Sequence, residues 1–169
     1  MVHKLSIEYS APFELSLPDE ASTLALGATL ACVLQPGEHV FLSGELGAGK
    51  TTLVRGLLRE LGFEGRVKSP TYTLVESYVV SKLHLYHFDF YRFTDPEEWE
   101  AAGFRDLFDN TNICLVEWPE RALSLLPTAD LSIRLGHLGQ ARNAAISACS
   151  PQGLQMMAAI QRRLQIPRV

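Results

Sequence analysis

One octapeptide, Gly44–Thr51, carries the clearest chemical signal in the chain. Its sequence, Gly-Glu-Leu-Gly-Ala-Gly-Lys-Thr, fits the pattern G-x-x-x-x-G-K-[ST] at every position. In this pattern the glycines let the backbone turn so that successive N–H groups surround a phosphate, and the following helix adds the positive end of its dipole. The residues predicted to bind a nucleotide are Gly47, Ala48, Gly49, Lys50, Thr51 and Thr52.

Three of these residues have distinct expected contacts. Lys50 is expected to contact the β- and γ-phosphates, the Thr51 hydroxyl to coordinate Mg²⁺, and Thr52 to meet the α-phosphate. The alternative is a chance match in a glycine-containing loop, which a random chain of this length produces about once in a hundred times. The apolar run His39–Ser43 before the loop, and leucines at helical spacing after it, favour a nucleotide-binding loop.

A carboxylate follows a second apolar run. Ile113–Val116 reads as a buried strand, and Glu117 comes directly after it. An NTPase with this glycine-rich loop needs an acidic residue at the end of a neighbouring strand to hold Mg²⁺ or its water. The alternative for Glu117 is an exposed side chain that merely ends a strand, because glutamate is mostly found at the surface.

Three chemically able residues alternate along Leu83–Arg92. They are His87, Asp89 and Tyr91, and a period of two places them on one face of a strand. Asp89 is then a second candidate for positioning Mg²⁺ or the attacking water. The alternative is a polar face directed at solvent. Ser69–Thr73 (Ser-Pro-Thr-Tyr-Thr) also has two possible interpretations: it is either a functional loop or only a turn that enters a strand.

Hydrophobic periodicity predicts the elements that position these residues. Helices are expected to begin at Leu17–Glu20, after the glycine-rich loop and at Asp95–Glu98. A last helix, Pro151–Val169, is expected from apolar residues at helical spacing between Leu154 and Leu164. The expected strands are His39–Ser43, Thr71–Val80, Leu83–Phe93, Asn112–Val116, Leu131–Leu135 and Ala144–Ala148. A turn near Ser81 and Lys82 would pair the second and third strands. Together these elements predict an α/β fold.

The composition is that of an ordinary globular protein. The 169 residues fit one domain, 1–169, and 47% of them are hydrophobic. A formal charge of −4 argues against a dedicated nucleic-acid binder, which needs a basic surface. Cys32 and Cys114 lie in apolar runs and are expected in the core. We find no signal-peptide pattern and no run near the ~18 apolar residues of a membrane span, so we expect a soluble, cytoplasmic protein.

Four segments, in their order and spacing, closely resemble the bacterial TsaE family, also called YjeE. They are the glycine-rich loop, Ser69–Val75 (Ser-Pro-Thr-Tyr-Thr-Leu-Val), His87–Arg92 (His-Phe-Asp-Phe-Tyr-Arg) and Val116–Glu120 (Val-Glu-Trp-Pro-Glu). The loop alone does not select this family, whereas the Ser-Pro-Thr-Tyr-Thr and Glu-Trp-Pro segments do. The resemblance runs from about Pro18 to Arg142.

The resemblance implies a P-loop NTPase-like three-layer fold with a mixed central sheet. It also implies an Mg²⁺-dependent ATPase with weak intrinsic activity that is required for threonylcarbamoyladenosine, the modified adenosine beside the anticodon of certain tRNAs. In the family, ATP hydrolysis is thought to reset the complex of TsaB and TsaD, which transfers the threonylcarbamoyl group. ATP and Mg²⁺ are the expected cofactors. The chain is expected to act on tRNA indirectly, through the complex of TsaB and TsaD.

The same resemblance assigns roles by position. Thr51 and Glu117 would hold Mg²⁺, and the catalytic residues would be Asp89, Glu117 and Thr71, with Thr71 in a switch-like loop near the γ-phosphate. Arg142 would approach the nucleotide. It stands in Ala-Arg, where Gly-Arg is commoner in the family, and an exposed loop cation is its alternative role.

Two other classes of protein share the glycine-rich loop. A kinase for a small metabolite needs an acceptor pocket and usually an arginine-rich lid, and the sequence shows no compact basic segment of that kind. A GTPase-like switch usually takes its guanine selectivity from an Asn-Lys-x-Asp segment, which this chain lacks. Product analysis with candidate acceptors, and a comparison of ATP with GTP binding, separate these classes from the ATPase.

Overall fold

The computed structural model describes Tyr9 and residues 11–165, which form one mixed sheet with helices packed on it. The strands are β1 (Phe13–Leu17), β2 (His39–Ser43), β3 (Val75–Val80), β4 (Leu83–Asp89), β5 (Ile113–Glu117), β6 (Leu131–Leu138) and β7 (Ala141–Ala148). The helices are α1 (Glu20–Val33), α2 (Lys50–Glu60), α3 (Pro96–Ala101) and α4 (Pro151–Gln165), with short 3-10 helices at Phe104–Leu107 and Pro119–Arg121.

The sheet has a parallel centre and antiparallel flanks. Its strand order is β1-β7-β6-β2-β5-β4-β3. Strands β6, β2, β5 and β4 run parallel, whereas β3 joins β4, and β7 and β1 join β6, in antiparallel pairs. The predicted mixed α/β sheet is therefore confirmed. Because the four central strands are parallel, their carboxyl ends meet at one edge, where ligands bind in open α/β sheets.

The central strands are buried because both faces of the sheet are covered. All five residues of β5 are buried, as expected for a parallel strand with layers on either side. One face packs against α1, α2 and α4 in an aliphatic core that includes Leu30, Leu42, Leu57, Leu115 and Ile160. The other face carries an aromatic core that includes Phe41, Phe88, Phe90, Trp99 and Phe104.

Two helices begin at aspartate caps, as their sequences predict. The hydroxyl and the backbone N–H of Ser22 both donate to the Asp19 carboxylate, and these bonds lower the pKa of Asp19. Asp95 accepts the backbone N–H of Glu97 at 2.9 Å, with Pro96 in the first turn of α3. Each cap satisfies a backbone donor that the helix leaves unpaired, so the helix starts are fixed locally.

The paired strands β3 and β4 are shorter than predicted at the end near the site. Residues 71–74 and 90–92 form turns instead of continuing the ladder. Leu74 has a φ of 68°, which breaks the strand geometry, and its carbonyl accepts the Asp89 N–H at 3.0 Å. The early end of β3 leaves Ser69–Thr73 free to fold over the carboxyl edge of the sheet.

Two further predictions are corrected. Strand β1 was not predicted, and it pairs with β7 at the edge of the sheet. Cys32 was expected in the core but is exposed, because it lies on the outer side of α1, whereas Cys114 is buried as expected. The last helix is confirmed as far as Gln165, and its predicted continuation lies outside the described residues. None of the helices in the described part of the chain is long and apolar enough to cross a membrane.

Helices α1 and α2 approach each other closely at two glycines. A Cβ on Gly27 would lie 2.0 Å from the Leu53 carbonyl oxygen, and a Cβ on Gly56 would lie 2.2 Å from the Leu24 carbonyl oxygen. Both atoms that would be met belong to the backbone, so neither clash can be relieved by a rotamer change. The contact holds α2, and with it the glycine-rich loop, against the rest of the fold.

We predict that Gly56→Ala destabilises the protein although alanine favours helices. The helix gains up to about 1 kcal/mol, but the overpacked contact costs about 1–3 kcal/mol and forces α1 and α2 apart. Chemical denaturation measures the free energy of unfolding. Arg162→Ala, at an exposed position of α4, is the control and should change it little. An unchanged or increased stability of Gly56→Ala would show that the two helices are not this close.

Candidate nucleotide-binding site

The glycine-rich loop connects β2 to α2 at the carboxyl edge of the sheet. Gly49 caps α2 with a φ of 106°, a conformation that residues with a side chain rarely adopt. Its carbonyl accepts the Leu53 N–H at 2.9 Å, so the first turn of α2 begins at once. The N-terminus of α2 therefore points into a cleft of about 580 Å³.

Most of the predicted site residues line this cleft together. The lining residues are Leu46, Gly47, Gly49, Lys50, Thr51, Thr52, Ser69, Thr71, Tyr72, Asp89, Tyr91, Arg92, Glu117 and Trp118. Ala48 and Arg142 are the two predicted residues outside this lining. Residues from the glycine-rich loop, the Ser69–Thr73 turn, β4 and β5 thus converge on one cavity, whose size suits a small ligand.

Lys50 is buried and lies across the glycine-rich loop. Its ammonium donates to the carbonyls of Gly44 and Glu45, the latter at 2.9 Å, and lies 4.5 Å from the centre of the Trp118 ring. Burial lowers the pKa of Lys50, while the carboxylates of Glu117 and Asp89 raise it again in part. An anion in the cleft would favour the charged form of this lysine.

Ala48 and Arg142 support the loop from other sides. The Ala48 N–H donates to the Glu45 carbonyl at 3.1 Å, so in this conformation it shapes the loop. The Arg142 guanidinium donates to the Gly47 carbonyl at 3.2 Å and to two carbonyls of its own turn. Arg142 therefore reaches the loop although it does not line the cleft, and nucleotide contact by either residue stays a prediction.

Glu117 and Asp89 lie side by side at the ends of β5 and β4. They are direct partners in the parallel register, and Glu117 is also paired with Leu42 of β2. Glu117 is 2% exposed and Asp89 is 3% exposed. Burial rules out the alternatives of an exposed terminal glutamate and a solvent-directed aspartate. Two carboxylates next to the glycine-rich loop are the acids that the sequence led us to expect.

The Glu117 carboxylate connects α2 with the sheet. Thr51 Oγ1 lies 3.2 Å from Oε1 and 3.1 Å from Oε2 of Glu117. From the other side, His87 Nε2 lies 2.6 Å from Oε2, and its side chain is fully buried. The predicted pair of Mg²⁺ ligands is therefore in contact. The partnership of His87 with Glu117 was not predicted, because sequence spacing alone does not show which residue of β5 lies beside it.

Asp89 holds the turn that folds over the cleft. Its Oδ2 accepts the hydroxyls of Ser69 and Thr71, the latter at 3.1 Å, and its Oδ1 accepts the Tyr91 N–H at 2.9 Å. The two hydroxyls also contact each other at 3.0 Å. Ser69 was not among the predicted site residues, although it is the first residue of the Ser-Pro-Thr-Tyr-Thr segment that resembles the TsaE family. Asp89 thus holds the Ser69–Thr73 turn through two of its hydroxyls.

Comparisons with known proteins show the family to which this chain belongs. The sequence model of the family described as "Threonylcarbamoyl adenosine biosynthesis protein TsaE" matches residues 17–144. The chain belongs to the TsaE family. A relative from Haemophilus influenzae, named tRNA threonylcarbamoyladenosine biosynthesis protein TsaE, is 45% identical over 148 residues, which cover 85% of this chain and 94% of the relative. A relative of the same name from Bacillus subtilis is 38% identical and covers 72% of this chain and 75% of its own length.

A solved structure shows the same fold as this TsaE-family chain. The crystal structure of Bacillus subtilis YdiB superposes with a TM-score of 0.76 at 27% sequence identity, covering 91% of this chain and 97% of the other. The three-layer P-loop NTPase-like fold implied by the resemblance is therefore confirmed.

The donors in this TsaE-family cleft fit Mg²⁺. The ion prefers hard oxygen ligands and is usually held by one or two carboxylates together with phosphates and waters. The Thr51 hydroxyl and the Glu117 carboxylate are such donors, and they lie in contact beside the N-terminus of α2. Among the described residues no three His, Cys, Asp or Glu side chains form a dedicated metal cluster. Two protein ligands suit an ion that arrives with a nucleotide.

We predict that Asp89→Ala loosens the Ser69–Thr73 turn without unfolding the sheet. The substitution removes the acceptor of two hydroxyls, so the Leu74 amide of this turn, which donates to the Pro70 carbonyl at 2.7 Å, should exchange with deuterium faster. Amides of β5, which bond to neighbouring strands, should exchange at the wild-type rate. Hydrogen exchange with mass spectrometry measures both regions. Equal protection of the turn in both proteins would show that Asp89 does not hold it.

Proposed function

We propose that this chain binds ATP with Mg²⁺, hydrolyses it slowly, and thereby supports threonylcarbamoyladenosine modification of cytoplasmic tRNA. In this proposal it acts on a complex of TsaB and TsaD. The observation that carries the proposal is the convergence of Lys50, the Thr51–Glu117 pair and Asp89 in one cleft at the carboxyl edge of the sheet. These are the parts that phosphoryl transfer from a nucleotide requires.

Each part has a role that follows from its chemistry. Backbone N–H groups of the loop and of the first turn of α2 bind phosphate oxygens, and Lys50 supplies a positive charge beside them. The Thr51 hydroxyl and Glu117 hold the metal. When bound, Mg²⁺ neutralises charge that develops on the phosphate oxygens. Thr52 lines the same cleft beside Thr51 and is placed for a further phosphate contact.

Asp89 accounts for a slow, partner-dependent reaction. As a catalytic group it would orient a water molecule near the γ-phosphate, with Thr71 beside it. In the structure both of its oxygens are already engaged by Ser69, Thr71 and the Tyr91 N–H. A carboxylate offers about four acceptor sites, and these donors use three, so exchange of the Ser69 or Thr71 bond would leave Asp89 better able to hold water. A partner that moves the Ser69–Thr73 turn would permit that exchange. Nucleotide-dependent switches are controlled in a similar way, because a loop beside the phosphates becomes ordered or disordered.

The tRNA-linked part of the proposal rests on the relatives. Proteins from Haemophilus influenzae and Bacillus subtilis that are named for threonylcarbamoyladenosine biosynthesis share 45% and 38% identity with this chain. A net charge of −4 does not suit direct binding to tRNA phosphates, so contact through TsaB and TsaD is the simpler arrangement. A small-metabolite kinase is the competing function, and analysis of products with candidate acceptors tests it.

We predict that Lys50→Ala weakens ATP binding at least about a hundredfold. The variant removes the cation beside the phosphates, together with its hydrogen bonds to the Gly44 and Glu45 carbonyls. Titration with a fluorescent ATP analogue measures the dissociation constant. Lys82→Asn is the matched control, because it removes an exposed lysine charge far from the cleft at a left-handed position that asparagine tolerates. Equal affinity of a folded Lys50→Ala protein would exclude the glycine-rich loop as the binding site.

We predict that Asp89→Ala still binds ATP but no longer supports repeated tRNA modification. Phosphate and metal contacts do not involve Asp89, whereas water positioning does. The assay measures threonylcarbamoyladenosine formed by TsaB and TsaD at an excess of tRNA over enzyme, with wild type or variant added. Full multiple turnover with Asp89→Ala would remove Asp89 from catalysis. Full turnover without any addition of this protein would refute the tRNA-linked function itself.

A further inference from the structure

His87 is a buried polar residue between the aliphatic core and the two carboxylates at the edge of the sheet. It lies on β4 between Leu85 and Asp89 on the side that meets α1 and α2, and its register partner on β5 is Leu115. The imidazole is fully buried. A buried polar group costs free energy unless it is hydrogen-bonded, so the contacts of this ring show what it does.

Among the described residues, one nitrogen of the ring has a hydrogen-bond partner and the other has none. Nε2 lies 2.6 Å from Oε2 of Glu117. Nδ1 is buried and has no hydrogen-bond partner among the described residues. A carboxylate can only accept, so Nε2 carries the proton of this hydrogen bond. His87 therefore donates from Nε2 to Glu117.

The position of this donor matters because the Glu117 carboxylate is otherwise free to rotate. The terminal torsion of a glutamate side chain is broad and has no sharp minimum. Thr51 contacts both carboxylate oxygens from the side of α2. A second donor from β4 binds Oε2 and fixes the plane of the carboxylate, so that Oε1 stays available to a metal beside Thr51.

We propose that His87 is a positioning residue for the magnesium site, whose Nε2–H orients the Glu117 carboxylate for metal binding. The inference rests on the proposed function, because it takes Glu117 and Thr51 as the metal ligands. Partners that orient ligating groups commonly affect metal affinity by 10–100-fold when they are removed.

Simple filling of the core does not account for this histidine. Leucine would fill a comparable volume between Leu85 and Leu115 without burying an unpaired Nδ1, which carries a desolvation cost. Among the described residues, Glu117 is the one partner that uses the polarity of the ring. A purely structural role predicts that loss of His87 changes stability alone, whereas a positioning role predicts a change in Mg²⁺ dependence.

The test compares variants that separate these two roles. His87→Leu fills the space but removes the donor, and His87→Gln carries an amide N–H that reaches a position similar to Nε2. Leu85→Ala, on the same face of β4, perturbs packing without touching Glu117. For each protein, binding of a fluorescent ADP analogue is titrated with Mg²⁺, and thermal unfolding is measured in the absence of nucleotide and metal.

The positioning role predicts a specific pattern. His87→Leu should raise the Mg²⁺ concentration at half-effect by about tenfold or more, with nucleotide affinity in the absence of Mg²⁺ within about twofold of wild type. His87→Gln should restore the Mg²⁺ midpoint to within about threefold. Leu85→Ala should lower the unfolding temperature and keep the wild-type midpoint. A wild-type midpoint in His87→Leu, or equal midpoints in the Leu and Gln variants, would overturn the proposal.

Glu117→Ala separates failure of this inference from failure of the metal site. If Glu117→Ala raises the midpoint and His87→Leu does not, only the positioning role is wrong. If Glu117→Ala leaves the midpoint unchanged, Glu117 is not a metal ligand, and the assignment on which His87 depends falls with it.

Nuclear magnetic resonance of the wild-type protein tests the geometry even if His87→Leu does not fold. With ¹⁵N-labelled histidine and no nucleotide or metal, the His87 ring should show the Nε2–H tautomer. A proton on Nδ1 in place of Nε2 would contradict the proposal directly, because Nε2 could not then donate to Glu117.

Discussion

The Glu117 carboxylate imposes the constraint on which the site depends. It ends a strand that is buried throughout, and a buried carboxylate has to be hydrogen-bonded. Its donors come from two different elements, Thr51 on α2 and His87 on β4. Both reach it only if β5 lies between β2 and β4 and the glycine-rich loop turns α2 back over the sheet. One charge thus links the strand order, the start of α2 and the shape of the cleft.

The two carboxylates, Asp89 and Glu117, have different hydrogen-bond donors. Asp89 is the register partner of Glu117, so two like charges lie next to each other and each needs its own donors. Glu117 is bound by groups of α2 and β4, whereas Asp89 is bound by the Ser69–Thr73 turn. Both carboxylates raise the pKa of Lys50 and so partly offset the effect of its burial. In the proposed function one acid serves the metal, and the other is hydrogen-bonded to the Ser69–Thr73 turn.

The sequence predicted the parts of the site that local patterns encode. The glycine-rich loop, the strand before Glu117 and the alternation that includes Asp89 are short-range signals, and the structure brings them to one edge; their chemical roles stay predictions. Long-range pairing was harder to foresee. Strand β1 is recognisable only beside β7, and the contact of His87 with Glu117 depends on the β4–β5 register. The predicted strands β3 and β4 were too long. The β-branched residues in Thr71–Leu74 suggested a strand, but they form a turn that Asp89 holds.

Diffraction from crystals grown with Mn²⁺ and a non-hydrolysable ATP analogue tests the central claim most directly. Mn²⁺ replaces Mg²⁺ among oxygen ligands and gives an anomalous signal that locates the ion without reference to a starting structure. The account predicts one strong peak next to the Thr51 hydroxyl and the Glu117 carboxylate, with the phosphates of the analogue against the loop and Lys50. Phosphates bound elsewhere, or a bound nucleotide with its metal away from both Thr51 and Glu117, would contradict it.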